Sequence, residues 1–165
     1  MPHCMKRFLL YIALCAVVAA MVACNTRAVS TPELYANSVL YRSTPEGVRD
    51  TIRAADSLRI GDTLRMFITM HGGYNTLTSF MVKTDTSALA IALEIDPIVV
   101  DSFLTTGTDL DKAQLVFVPE KVTLCSTFLR FIPRKSGKHQ ITMTVGNDAG
   151  ESYSPRSFLY EPLVR

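Results

Sequence analysis

The 165-residue chain contains no tryptophan, so it lacks the buried Trp around which antibody-type domains pack. Cysteine is scarce: Cys4 and Cys15 fall in an apolar N-terminal stretch, leaving Cys24 and Cys125 beyond it. No one sign of charge dominates. Seventeen basic residues stand against fifteen acidic ones and are scattered along the chain, so the basic stripe of a nucleic-acid binder is missing and nucleic acid is excluded as a partner. There is no GxSxG elbow, HExxH, GxGxxG, P-loop or CxxC. Only His71 and His139 follow the N-terminal stretch, too few for most zinc or acid-base machinery. No long helical periodicity is present. With 48% hydrophobic residues, and eight each of Gly and Pro, the chain is neither disordered nor collagen-like and is long enough for one domain.

What is present begins with Lys6 and Arg7 before the uncharged run Phe8 to Ala23, closed abruptly by Asn25, Thr26 and Arg27. This is the three-part pattern of a secretory leader, and the run is shorter than the roughly 20 residues of a membrane-spanning helix, the competing reading. Met5 is an alternative initiator. Met21, Val22, Ala23 and Cys24 resemble the lipobox of bacterial lipoproteins, with Met21 where Leu is usual. The resemblance implies cleavage before Cys24, lipidation of that residue and attachment to a membrane through its acyl chains. Residues 1–23 are then a signal peptide and 24–34 a tether, broken by Pro32, leading to a domain over 35–165. Loss of Lys6 and Arg7 leaves a mature chain of 142 residues with equal numbers of acidic and basic groups. Cys125 is then the remaining thiol, so no internal disulfide is possible.

Two-residue alternation dominates that domain. Leu64, Met66, Ile68 and Met70 share one face, as do Leu89, Ile91, Leu93 and Ile95, and Ile141, Met143 and Val145. Strict alternation puts one face of each strand against a core, whose predicted members are Leu64, Met66, Ile68, Leu89, Ile91, Leu93, Ile141, Met143 and Val145. Further strands are expected over 37–42, 48–54, 76–83, 114–118, 127–132 and 153–160, giving nine short runs. Their spacing and the turns between them predict an all-β antiparallel sandwich of about seven to nine strands. Asp96 and Pro97 make the start of a short helix over 98–104 or of an irregular crossover, with an apolar strand as the alternative.

Phe131, Pro133, Gly137, Ile141, Thr142, Val145, Asn147, Ala149 and Gly150 resemble the late hairpin of bacterial immunoglobulin-like domains. The resemblance implies an immunoglobulin-like sandwich and carries no catalytic residues. Single-domain lipoproteins of this style are similar to those of Bacteroidota, implying an envelope location, expected at the outer membrane. Asp50-Thr51-Ile52, Asp56-Ser57-Leu58 and Asp62-Thr63-Leu64 resemble the O-glycosylation signal of exported Bacteroidota proteins, implying Thr51, Ser57 and Thr63 as acceptors. The same triplets suit ordinary turns, whose Asp and Ser/Thr side chains bond the local backbone.

The remaining candidates are few. Cys125, between Leu124 and Ser126 before a strand, reads as an inert packed thiol. Asp109-Leu110-Asp111 resembles the start of a calcium loop, but Ala113 and Gln114 stand where the EF-hand pattern needs a ligand and Gly. It reads as a polar turn. His71-Gly72-Gly73-Tyr74-Asn75 reads as a hairpin tip, and His71, Tyr74 and Asn75 are the candidate binding residues. No catalytic residue, metal ligand or cofactor is identified. These readings predict a lipid-anchored, non-enzymatic envelope module that binds a protein or glycan. The alternatives are a hydrolase or protease inhibitor whose site forms only in the fold, and a structural subunit of a surface assembly.

Overall fold

The computed structural model describes residues 29–165. The expected signal peptide, the expected lipidation site at Cys24 and the first part of the expected tether lie outside the described residues. Eleven strands and one helix follow in the order β1 (Glu33–Ser43), β2 (Arg49–Arg53), β3 (Thr63–His71), β4 (Leu77–Lys83), β5 (Leu89–Glu94), α1 (Pro97–Phe103), β6 (Gln114–Val116), β7 (Leu124–Pro133), β8 (Gly137–Lys138), β9 (Ile141–Asn147), β10 (Arg156–Tyr160) and β11 (Leu163–Val164). Nine of the strands fall on the nine expected runs. The two extra ones, β8 and β11, span two residues each, too few to show an alternation.

The strands form an antiparallel sandwich. One sheet has the order β2-β1-β3-β7-β5, the other β10-β9-β4-β6, and β8 pairs with β11 apart from both. The run β1-β3-β7-β5 facing β10-β9-β4 is the A-B-E-D against G-F-C arrangement of immunoglobulin domains. One departure is the strand beside β4. In immunoglobulin domains the strand there precedes the equivalent of β5, whereas β6 follows β5 and is reached through α1. That helix starts as its residues require: the Asp96 carboxylate accepts from Ile98 N–H at 2.8 Å, and Pro97 occupies the first turn.

Between the sheets, Leu40, Leu64, Ile68, Met70, Phe80, Leu89, Leu129, Phe131, Ile141 and Val145 are fully buried. β1 carries two extra residues between Ala36 and Leu40, opposite Ile68–Met66. Asn37 accepts from Val39 N–H at 3.0 Å within this bulge. Because two residues were added, Leu34 and Leu40 still point the same way, into the core.

Three expectations are corrected. Ile91 is only half-buried while Ala92 is buried; β5 is an edge strand, so the inward side of its middle is incompletely covered. The segment read as a late hairpin is not one. β7 is hydrogen-bonded to β3 and β5, whereas β9 pairs with β4 and β10, so with both its sides occupied β7 hands the chain across to the other sheet. The tether is also shorter than expected: β1 begins at Glu33, and Ser30 is already bonded into the fold.

Candidate functional site

The predicted binding tip proves to be a lock on the incoming chain. Asn75 is 2% exposed, and its side-chain oxygen accepts from Ser30 N–H at 3.0 Å. Ser30 Oγ donates to the Gly72 carbonyl at 3.2 Å and accepts from Tyr74 N–H at 2.8 Å. From β9, Asn147 Nδ2 donates to the carbonyls of Ser30 and Gly72 at 2.8 and 2.9 Å. The approach is so close that a Cβ on Gly73, at φ +69°, would stand 1.8 Å from Ser30 Oγ. Asn75 is therefore a structural residue, not a contact. His71 ends β3, half-buried, and its Nδ1 accepts from Gly73 N–H at 3.1 Å. Only Tyr74, 75% exposed, keeps the expected surface position. Local sequence could not reveal this lock, because Ser30 and Asn147 come from far along the chain.

A different surface brings chemistry together. In β1, β3 and β7 the residues between the core positions point outward, and their registers align Tyr41 with Arg65 and Arg130, and Phe67 with Phe128 and Glu94. Phe128 makes T-shaped contacts with Tyr41 and Phe67, at centroid distances of 5.9 and 5.1 Å. The Arg65 guanidinium lies 4.7 Å over the Phe128 ring and pairs with Glu94 at 2.6 Å, and Arg130 approaches the same carboxylate at 3.6 Å. Such contacts hold rings and guanidinium in fixed positions.

The ladder opens into a groove of about 730 Å³ beside the β1–β2 hairpin, lined by Tyr41, Ser43, Arg49, Thr51, Arg65 and Phe128 together with Arg42 and Asp50. Arg42 is committed. It pairs with Asp50 across the hairpin, and this hydrogen-bonded guanidinium holds the Asp50 carboxyl below its ordinary range. Arg42 also lies 3.8 Å from Asp62. The Asp62 side chain is 3% exposed, and its Oδ2 has no hydrogen-bond partner. Burial pushes this carboxyl above its usual range, against the pull of Arg42 and Arg59. Arg49, by contrast, has no carboxylate partner among the described residues.

The other sequence candidates sit as follows. Thr51 is exposed on β2 in the groove, Ser57 is half-buried in the turn after β2, and Thr63 is half-buried at the start of β3. Asp56 accepts from Arg53 N–H at 3.0 Å in that turn. Asp109 is held by Lys112, whose Nζ lies 2.8 Å away and whose backbone N–H donates at 3.0 Å. Among the described residues, no group of three or more His, Cys, Asp or Glu could hold a metal ion. Cys125 is 6% exposed, and burial pushes its thiol up to about 11, which keeps it protonated and unreactive near neutrality. Among the described residues no helix is long and apolar enough to cross a membrane.

No family model and no curated protein matches this chain. Among solved structures, it is similar to a family 123 glycoside hydrolase from Clostridium perfringens, described for glycolipid glycan hydrolysis, with a TM-score of 0.47 and 11% identity. That match covers 82% of this chain but 27% of the hydrolase, so the chain spans about a quarter of its neighbour's length. A second likeness is to the PmoD soluble domain of a Methylocystis species, with a TM-score of 0.33, 14% identity and coverage of 77% and 90%. Neither likeness bears on activity or ligand.

Proposed function

We propose that the chain is a lipid-anchored, non-enzymatic binding module of the cell envelope, held through Cys24 and recognising its partner with the outer face of the five-stranded sheet. The observation that carries this reading is the aromatic and arginine ladder on the outer face of the sheet, in which exposed Tyr41, Phe67 and Arg65 pack on half-buried Phe128, continuous with the groove. Aromatic and Arg side chains on a rigid scaffold are the residue types that anchor recognition. The tether supports an outward use of this groove. Ser30 lies six residues after Cys24, a reach of about 20 Å at full extension, and is bonded at the Gly72–Asn75 end of the sandwich. The β1–β2 hairpin lies at the opposite end, since Ser43 pairs with Thr63 and Glu33 with His71. An anchor at Cys24 thus turns Tyr74 toward the lipid and the groove away from it.

Two variants test the reading in cells. Cys24→Ala should release the chain from membranes or block its maturation. Tyr41→Ala combined with Phe67→Ser should leave the chain membrane-bound and folded but abolish its retention of envelope components. Full membrane attachment of Cys24→Ala would contradict the anchor. Turnover of a glycan or peptide, abolished by a single carboxylate substitution, would replace the binding module with a hydrolase.

A further inference from the structure

We infer that the groove between the β1–β2 hairpin and Arg65 takes a carboxylate-bearing sugar unit of an acidic glycan, with Arg49 receiving the carboxylate and Tyr41 the sugar ring. This inference rests on the binding-module reading and narrows it to one ligand class.

Charge comes first. Three arginines line the groove, Arg42, Arg49 and Arg65. Arg42 is neutralised by Asp50 and faces Asp62, and Arg65 is occupied by Glu94 and Phe128. Arg49 is left with its fork of donors unclaimed, on the outer side of the hairpin beside Ser43, with which it is in register. A planar guanidinium pairs a carboxylate in two-point fashion. The single acidic residue at the groove, Asp50, is tied to Arg42, so it does not compete for Arg49.

Shape and surface favour a sugar over an acidic peptide. Tyr41 remains 46% exposed, offering apolar surface to sugar C–H groups, and the Ser43 and Thr51 hydroxyls flank it as hydrogen-bonding groups for sugar hydroxyls. The backbone at Tyr41 is paired on both sides, with Thr51 of β2 and Arg65 of β3, so a peptide could add as a strand only along the outer edge of β2 and not over Tyr41. Its volume of about 730 Å³ lies within the usual range for ligand pockets. A glycan on Thr51 would stand in this same groove, so the inference requires Thr51 to be unmodified.

The test is titration calorimetry of the purified full chain in detergent with trigalacturonate, its methyl ester and triglutamate. The expected result is saturable binding of trigalacturonate, at least tenfold weaker binding of the ester and of triglutamate, and a tenfold or greater loss for Arg49→Gln. Arg49→Lys should recover part of the loss, since charge is kept and the fork is not. Equal binding of the ester would overturn the carboxylate's role, and equal binding of triglutamate would overturn the sugar's. No binding of trigalacturonate by a folded chain that still retains envelope components in a Tyr41-dependent way would sink this inference alone. Loss of both would sink the binding-module reading as well. Intact mass showing a sugar on Thr51 would also overturn the inference.

Discussion

The two faces of β1, β3 and β7 are made by the same three strands and differ in every respect that matters. Inward, Leu40, Leu64, Ile68, Leu129 and Phe131 are completely shielded from water, and each is interchangeable in kind with its neighbours. Outward, Tyr41, Arg65, Phe67, Phe128 and Arg130 are specific pairings in which a ring meets a ring and a guanidinium meets a ring and a carboxylate. The inner face makes the fold stable, and the outer face has its rings and charges arranged without being needed for the core. Substitutions should therefore separate cleanly into those that cost stability and those that cost binding.

The largest expected effect is on the inner face. Phe131→Ala should cost about 3 to 5 kcal/mol, because it removes a fully buried ring and its surroundings relax only partly into the cavity. Equilibrium urea unfolding measures it, and a cost near zero would mean that the two sheets do not share the core described. Next comes the lock at the tether end. Asn147→Ala removes the donor that joins the Ser30 and Gly72 carbonyls and should cost about 1 to 3 kcal/mol. Hydrogen exchange of the residues around Ser30 should rise with it. Ile91→Ala, half-buried on the edge strand, should cost less than the roughly 2 to 5 kcal/mol of a fully buried site.

Asp62 sharpens the comparison through pH. Burial holds its carboxyl above the ordinary range, so the folded state binds this proton more tightly than the unfolded state does. Its contribution to stability is complete below the unfolded Asp range, near pH 4, and is lost as pH rises through the higher folded value. Asp62→Asn should accordingly gain stability relative to the parent between pH 3.5 and pH 7, seen as a shift in urea midpoints. The same offset at both pH values would contradict the assignment. Smallest of all is the outer face: Arg49→Gln should change stability by less than about 0.5 kcal/mol, as exposed substitutions do.

The contrast between the faces also explains what could be read from the sequence. Alternation locates strands because it reports which residues leave water, and Leu64, Met66 and Ile68 appear in the core as expected. It failed at Ile91, where the pattern continues but the covering sheet does not. The outer ladder left no comparable trace. Tyr41, Phe67 and Phe128 are separated by 26 and 61 residues and become neighbours only through the β1–β3–β7 register. In the Gly72–Asn75 tip the local signal misled: a Gly-rich turn with a Tyr has the composition of a binding loop, yet Asn75 is consumed by Ser30. The lipidation proposed at Cys24 rests on the resemblance of Met21–Cys24 to a lipobox alone.

Recognition by the outer face beside the β1–β2 hairpin, and not by the tip of β3, would leave its mark on the backbone. Amide hydrogen exchange of the full chain, with and without saturating trigalacturonate, tests it most directly. Protection is expected only at residues 41–51 and the neighbouring part of β3 around Arg65, with residues 71–75 unchanged. Protection centred on 71–75, with the hairpin unaffected, would contradict it.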